Sequence, residues 1–242
     1  EANFYRFDEL LRLSHGIFLV CGPTGSGKTT TLYAALNRIY TPEKKIITIE
    51  DPVEYQLDGI NQIPVRPARG VTFASGLRAV LRQDPDILMV GEVRDQTSAM
   101  IAGRASLTGR LVLATLHAPT ASTAVSALQN LSVPRHVLGH ALRVIITQDL
   151  VPRLCMECRK ETAIQSHQKD VFAKHGIEAP DQLYVSEGCD ACHGYGHAGR
   201  TGVFELLEVD QDTGYELASG MSQREISALF RQKAGHSLIQ DA

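Results

Sequence analysis

Short apolar runs alternate with amphipathic stretches over the first half of the chain. Four runs have the length and the apolar content of buried strands: Ile17–Cys21, Lys45–Glu50, Ile87–Val90 and Leu111–Leu116. After them, apolar residues recur at helical spacing over Thr30–Tyr40, Ala74–Arg82, Thr97–Leu107 and Ala121–Leu131. Strands that alternate with helices predict an α/β fold with a mostly parallel sheet covered on both faces.

The remaining segments predict further helices and one unit of different character. Apolar positions at helical spacing predict helices over residues 1–13 and 137–147. From Cys155 onward, cysteine, glycine and histidine become frequent and the predicted strands are short, whereas residues 210–242 return to a helical pattern. The predicted parts are a core over residues 1–152, a small unit over 153–205 and a truncated helical segment over 206–242.

A glycine-rich loop follows the first predicted strand. Residues 22–29 read GPTGSGKT, which fits the phosphate-binding pattern G-x-x-x-x-G-K-[ST]. Glycine lets backbone N–H groups curl around phosphate oxygens, and a helix that starts at Lys28 presents its N-terminus to the anion. Lys28 can reach the β- and γ-phosphates of ATP, and Thr29 can bind Mg²⁺. The predicted nucleotide-binding residues are Gly22, Pro23, Thr24, Gly25, Ser26, Gly27, Lys28, Thr29 and Thr30.

Polar residues follow three other predicted strands. Glu50, Glu92 and His117 each come at or just after the end of an apolar run. In open α/β sheets ligands bind at the carboxyl ends of the strands, so these groups would meet beside Lys28 if the strands are parallel neighbours. Each alone has a structural interpretation: Glu50 as part of a turn before Pro52, and His117 as a core histidine. Together, beside a phosphate loop, they predict a site that hydrolyses ATP.

The composition is that of an ordinary globular protein. Of the 242 residues, 43% are hydrophobic and 21% charged, and the formal net charge is −3, which leaves no whole-chain basic footprint for nucleic acid. No apolar run approaches the roughly 20 residues that span a bilayer. We therefore expect a cytoplasmic protein that binds no nucleic acid. Because the chain starts at Glu1 without Met and stops within a helical pattern, we expect it to be part of a longer protein.

Two C-x-x-C pairs stand 30 residues apart in the predicted small unit. They comprise Cys155, Cys158, Cys189 and Cys192. Four thiolates in two such knuckles predict a closed, structural Zn²⁺ site, and they leave no position for the nearby His193 and His197. Two disulfides are the alternative, which the reducing compartment of an ATP-dependent protein disfavours.

Four strings in the chain resemble the motifs of secretion ATPases, the hexameric traffic ATPases of type II secretion and type IV pilus assembly. They read GPTGSGKTTTLYAAL (22–36), ITIEDPVEY (47–55), LRAVLRQDPDILMVGEVRD (77–95) and ATLH (114–117). The resemblance covers essentially the whole chain. It implies a RecA-like P-loop NTPase core and ATP hydrolysis coupled to protein transport. It also implies a hexamer that meets a platform or docking protein on the cytoplasmic face of the bacterial inner membrane.

The same resemblance implies roles for individual residues. Glu50 corresponds to the aspartate-box residue that polarises the attacking water, and Glu92 to the Walker B glutamate; either can be the general base. His117 corresponds to the histidine that contacts the γ-phosphate. Arg78 and Arg82 share one helix face and would act as arginine fingers on a neighbouring subunit. The alternative for this pair is two solvated arginines.

Some positions depart from the family pattern. Ala118 and Pro119 replace Thr-Asn in the histidine box, Arg110 replaces His, and Asp149 replaces Arg after Gln148. These changes leave the phosphate, metal and carboxylate positions intact. The tetracysteine unit is typical of the secretion and pilus-extension branches and not of the retraction ATPases. Two other functions stay open: a nucleotide-binding assembly module with little turnover, and a RecA-like nucleic-acid motor.

Overall fold

The computed structural model describes residues 2–233 and 238–241. Seven of its strands form one sheet: β1 Gly16–Cys21, β2 Ile46–Glu50, β3 Asn61–Pro64, β4 Ile87–Val90, β5 Leu111–Leu116, β6 Leu142–Leu154 and β9 His197–Glu208. Their order across the sheet is β3-β2-β4-β5-β1-β6-β9. From β3 to β6, every neighbouring pair is parallel. The predicted α/β fold with a mostly parallel sheet is therefore confirmed.

Ten α-helices are found in the described part of the chain. They are α1 Ala2–Leu10, α2 Lys28–Ile39, α3 Phe73–Leu81, α4 Gln96–Leu107, α5 Ala121–Asn130, α6 Arg135–Ala141, α7 Ser166–Lys174, α8 Gln211–Ser219, α9 Gln223–Lys233 and α10 Leu238–Asp241. Thr72, Asp95 and Thr120 cap α3, α4 and α5 by accepting hydrogen bonds from backbone N–H groups of the first turn. These caps set the helix starts near the predicted ones. None of the helices in the described ranges has the length and apolar content to cross a membrane.

The predicted helix over residues 137–147 was wrong in its second half. Helix α6 ends at Ala141, and β6 starts at Leu142. Residues 144–146 are β-branched and buried, and they pair in parallel with β1. Periodicity cannot separate a buried helix from a strand that is covered on both faces, so the pairing with β1 decided the structure.

The core lies on both faces of the central strands. Every residue of β1, β4 and β5 is buried, as the absence of apolar–polar alternation predicted. Leu32 and Leu36 of α2 and Leu77 of α3 are at most 1% exposed. Burial of each such side chain contributes about 1.5–3 kcal/mol to the stability of the fold. This packing stabilises the strands whose ends carry the polar residues.

The described residues cluster into two compact units. The first comprises those within 1–148 and 205–235, and the second those within 149–204 and 236–242. The second unit has its own antiparallel pair, β7 Arg159–Ala163 with β8 Gln182–Ser186, which confirms that the segment between the cysteine pairs carries its own elements. The strands entering and leaving it are not short as predicted: β6 has 13 residues and β9 has 12. The predicted domain boundaries stay a prediction.

Candidate functional site

The loop after β1 has the conformation that its glycines allow. Gly22, Gly25 and Gly27 all have positive φ, and Gly27 sits in the left-handed region with φ 86° and ψ 17°. A Cβ at Gly22 would lie 2.2 Å from the carbonyl oxygen of Gln148, so no larger residue fits there. Helix α2 starts directly after Gly27 and has no side-chain cap. Its first N–H groups are therefore available to an anion.

Lys28 crosses the loop from the first turn of α2. Its Nζ donates to the carbonyl oxygens of Gly22 at 3.0 Å and Pro23 at 2.8 Å, and it lies 3.5 Å from Nδ1 of His117. The side chain is buried, which lowers the pKa of Lys28, while the charge of Glu92 acts in the opposite direction. The lysine is thus held at the loop by carbonyl groups and faces the histidine.

The residues present fit a chain of phosphates. The hydroxyl of Ser26 is buried and finds no hydrogen-bond partner among the described residues. Buried hydroxyls are normally hydrogen-bonded, and a phosphate oxygen would supply the missing partner. Gly25 has open space around the position of a Cβ. Pro23, Thr24 and Thr30 are exposed, and Thr29 is partly exposed, so an Mg²⁺ ion could reach the Thr29 hydroxyl.

Glu92 and His117 meet at the ends of β4 and β5. Nε2 of His117 lies 3.2 Å from Oε1 of Glu92, and Arg94 contacts the other carboxylate oxygen at 2.6 Å. Arg94 also lies 3.4 Å from a carboxylate oxygen of Asp51. Lys28, His117 and Glu92 are therefore brought together as their strand-end positions predicted. Arg94 was missed, although it stands two residues after Glu92 in the quoted motif.

Glu50 ends β2, beside β4, but its carboxylate is engaged elsewhere. It is 1% exposed and accepts hydrogen bonds from the hydroxyls of Tyr33 and Thr48 and from Nε2 of Gln62 at 3.2 Å. Burial first, and then the contact with Glu50, raises the pKa of Tyr33. No described contact joins the Glu50 carboxylate to Lys28, Glu92 or His117.

These three partners of Glu50 were missed by sequence reasoning. Thr48 had a usable signal, because residues i and i+2 of a strand share one face. Tyr33 occupies a buried position of α2, and a buried tyrosine hydroxyl normally has a hydrogen-bond partner. The sequence does not identify that partner. Gln62 gave no signal at all, since β3 was not among the predicted strands.

Arg78 and Arg82 lie at the surface. Arg78 is in α3, and Arg82 directly follows its last residue. Both are exposed, and neither side chain has a hydrogen-bond or ion-pair partner within residues 2–233 and 238–241. They are not brought to the Lys28 site of their own subunit.

The four cysteines of the second unit converge. Their Sγ atoms all lie within 4.8 Å of one another. Three pairs are 3.9, 3.9 and 3.8 Å apart, and all the cysteines are free. A tetrahedral ion with Zn–S bonds of about 2.3 Å needs S–S edges of about 3.8 Å, so the group could hold zinc. The backbone N–H groups of Cys189 and Gly196 donate to Sγ of Cys192 and lower its pKa to about 6.

Comparison with known proteins decides the family. A family model described as "Type II/IV secretion system protein" matches residues 1–242. The chain belongs to this family. Its relatives include the type II secretion system protein E of Dickeya dadantii, 46% identical over 233 residues, and the type IV pilus assembly ATPase PilB of Thermus thermophilus, 43% identical over 242 residues. The matches cover 96% and 98% of this chain, but only 46% and 27% of the relatives' lengths.

A solved structure of a family relative supports the fold. The pilus retraction motor PilT with bound ADP superposes with a TM-score of 0.68 at 29% identity, over 95% of this chain and 57% of that one. The predicted family and fold class are thus confirmed for this member of the type II/IV secretion family. The roles of individual site residues stay predictions.

Proposed function

We propose that the chain binds Mg²⁺–ATP and hydrolyses it. The observation that carries the proposal is the meeting of Lys28, His117 and Glu92 beside a glycine-rich loop, at the ends of three neighbouring strands. The relatives support it, because one is named a pilus assembly ATPase and another was solved as a motor with ADP. Ligands of open α/β sheets bind at this edge.

Each group of the site has a defined task in this reaction. Lys28 and the N–H groups at the start of α2 bind the β- and γ-phosphates. The Thr29 hydroxyl would hold Mg²⁺, which when bound would neutralise charge on the phosphate oxygens. His117 contacts the terminal phosphate, since its Nδ1 is already 3.5 Å from the lysine that serves that phosphate.

Glu50 and Glu92 compete for the role of general base. The contacts favour Glu92, because its side chain is 18% exposed and adjoins His117. Glu50 is 1% exposed and already accepts hydrogen bonds from three side chains. We assign proton abstraction from water to Glu92, and to Glu50 the task of holding the end of β2 beside it.

Phosphate release from ATP tests the proposal. The purified chain with Mg²⁺ should release phosphate, and Lys28→Ala should not. Binding without release would favour the second candidate, a nucleotide-binding assembly module. The altered histidine box, in which Ala118 and Pro119 follow His117, supports this candidate. Absence of both binding and release would overturn both functions.

A ring of subunits completes the proposed motor. Arg78 and Arg82 are exposed, and their guanidinium groups have no partner in the described part of the chain, so they are available to a neighbour's γ-phosphate. An arginine that acts in this way from outside the subunit needs a head-to-tail interface, which closes into a ring such as a hexamer. Isolated subunits should then hydrolyse ATP slowly.

The proposed role is to power assembly of a pseudopilus or pilus from the cytoplasmic face of the inner membrane. The names of the two relatives support this role, and a platform or docking protein of such a machine is the proposed partner. Zn²⁺ bound by the four cysteines would stabilise the second unit, in agreement with their spacing. Complementation of a strain that lacks the gene, scored for protein secretion and for pili, separates the two pathways.

A further inference from the structure

Gln148 lies against the phosphate loop from the neighbouring strand. It follows Thr147 of β6, which pairs with Cys21, the last residue of β1. Its carbonyl oxygen is the atom that a Cβ at Gly22 would strike, and the residue is 3% exposed. Gln148 is thus a buried residue of β6 that packs against the glycine-rich loop.

The side-chain amide of Gln148 makes two hydrogen bonds of opposite sense. Nε2 donates to the carbonyl oxygen of Ser26 at 2.6 Å, and Oε1 accepts from the hydroxyl of Thr31 at 2.7 Å. The orientation of the amide follows from chemistry, since a carbonyl oxygen can only accept. The end that faces Ser26 must therefore be the NH₂ group, and the Thr31 hydroxyl donates to the other end.

The bond to Ser26 fixes the direction of one peptide group in the loop. In a planar trans peptide, the C=O of Ser26 and the N–H of Gly27 point in opposite directions. Holding the carbonyl against Gln148 therefore turns the Gly27 N–H away from it. Rotation of this peptide would meet little steric resistance, because Gly27 has no Cβ and populates both signs of φ. A rotated peptide would present a carbonyl oxygen instead of an N–H to an anion.

We propose that Gln148 is a positioning residue that locks the Ser26–Gly27 peptide with its N–H available to the phosphates. The inference rests on the proposed binding of ATP by this loop. Gln148 itself does not touch the nucleotide, and Thr31 holds its amide in the required orientation. This role joins β6 to the phosphate loop that follows its neighbour, β1.

Binding of Mg²⁺–ATP and of inorganic tripolyphosphate, measured by calorimetry, tests the role. Gln148→Met keeps the size of the side chain and removes both hydrogen bonds. It should weaken binding of both ligands about ten-fold, the equivalent of one lost hydrogen bond. The two ligands should lose affinity by the same factor, because the Ser26–Gly27 peptide would contact the phosphates and not the adenine. In turnover, KM for ATP should rise about ten-fold while kcat changes less than three-fold.

Two further variants keep the test decisive if Gln148→Met folds poorly. Thr31→Val removes the hydroxyl that orients the amide and should weaken tripolyphosphate binding in the same direction. The effects of the two changes together should be less than additive, because they act through one hydrogen-bond chain. Gln129→Met is the matched control. Gln129 is partly exposed, its Nε2 atom is buried without a partner among the described residues, and binding should not change.

The outcomes separate this inference from the proposed function. If the unchanged chain binds neither ATP nor tripolyphosphate, the proposed function fails. If the unchanged chain binds both, and Gln148→Met and Thr31→Val bind them equally well, the lock is overturned alone. A loss of affinity for ATP without a loss for tripolyphosphate would also overturn it.

Discussion

Nε2 of His117 lies 3.2 Å from Oε1 of Glu92, where two adjacent parallel strands end. Nδ1 of the same ring is 3.5 Å from Nζ of Lys28, so the imidazole stands between a cation and a carboxylate. The ring is half exposed, whereas Lys28 is buried. His117 therefore links Lys28, the group proposed to bind phosphate, to Glu92, the group proposed to activate water.

Exchange of the two carboxylates for amides distinguishes their roles. Glu92→Gln should lower kcat by about 10²–10⁴-fold with little change in ATP affinity, because it removes a general base. Glu50→Gln should lower the free energy of unfolding as well as kcat. The hydroxyls of Tyr33 and Thr48 donate to the Glu50 carboxylate, and an amide offers only one acceptor oxygen in its place. Steady-state phosphate release and denaturant unfolding measure both. Unchanged hydrolysis in both variants would contradict the assignment of either carboxylate as the general base.

Mixed rings test the arginine fingers. We expect two variants to lose most ATPase activity when all subunits of a ring carry the change. One combines Arg78→Ala with Arg82→Ala and should lose about 10³-fold, because it removes the arginine fingers. The other is Lys28→Ala. A 1:1 mixture should regain on the order of a quarter of wild-type activity, because a quarter of the head-to-tail interfaces combine an intact loop with intact arginines.

The matched control for the mixing experiment is Arg104→Ala. Arg104 is an exposed arginine of α4, and its removal should leave ATPase activity unchanged in uniform rings. A mixture of the Arg78/Arg82 and Lys28 variants that stays inactive, although it forms rings by light scattering, would count against action across an interface.

Metal analysis of the purified chain should find one zinc per protomer. Cys192→Ser should abolish it and lower the melting temperature, because structural zinc contributes folding free energy. Cys21→Ala is the control, since Cys21 is buried in β1 and is not one of the four converging cysteines, so its loss should leave the zinc content at one. A folded, undenatured wild-type sample without metal would rule the site out.

Tyr33→Phe should destabilise the first unit. The change takes a hydrogen-bond donor from the buried Glu50 carboxylate, and a lost partner of a buried group costs about 1–3 kcal/mol. Urea unfolding measures the change, with Tyr40→Phe as the control because Tyr40 is 37% exposed. Equal stabilities of the two variants would mean that the hydroxyl of Tyr33 does not support Glu50.

Acid should loosen the start of α8 through Asp210. The hydrogen bond from Lys233, and then those from Thr213, lower the pKa of Asp210 from 3.8 to about 2. Because the folded pKa is the lower one, the ionised carboxylate stabilises the fold above pH 3.8, and this contribution is lost as the pH falls toward 2.

The substitution Asp210→Asn separates this contribution from other acid effects. Asn still caps a helix, so stability at neutral pH should fall by at most about 1 kcal/mol, given that solvent screens an ion pair whose side chains are 34% and 47% exposed. The slope of melting temperature against pH between 4 and 2 should become shallower than in the wild type. An unchanged slope would show that Asp210 does not contribute to it.

Local patterns in the sequence predicted much of the fold. Strands β1, β2, β4 and β5 were predicted within a residue because each is a short, mostly apolar run between polar segments. The glycine-rich loop and the cysteine pairs are also local patterns, in which spacing alone predicts the chemistry. The positions of Lys28, Glu92 and His117 followed from one further rule, that parallel strands present their carboxyl ends at one edge.

Relationships between distant residues were decided only by tertiary structure. Residues 142–147 became a strand because β1 offered them a partner, although their periodicity also suited a helix. Tyr33 and Glu50 are 17 residues apart, and Gln148 and Ser26 are 122 apart. The spacing of apolar residues along an element determines which of its faces is buried. Strand order and packing then determine which polar groups come into contact. The sequence by itself determined most of the elements and predicted the ligand class, and the tertiary structure decided which side chains hold Glu50, Glu92 and the glycine-rich loop in place.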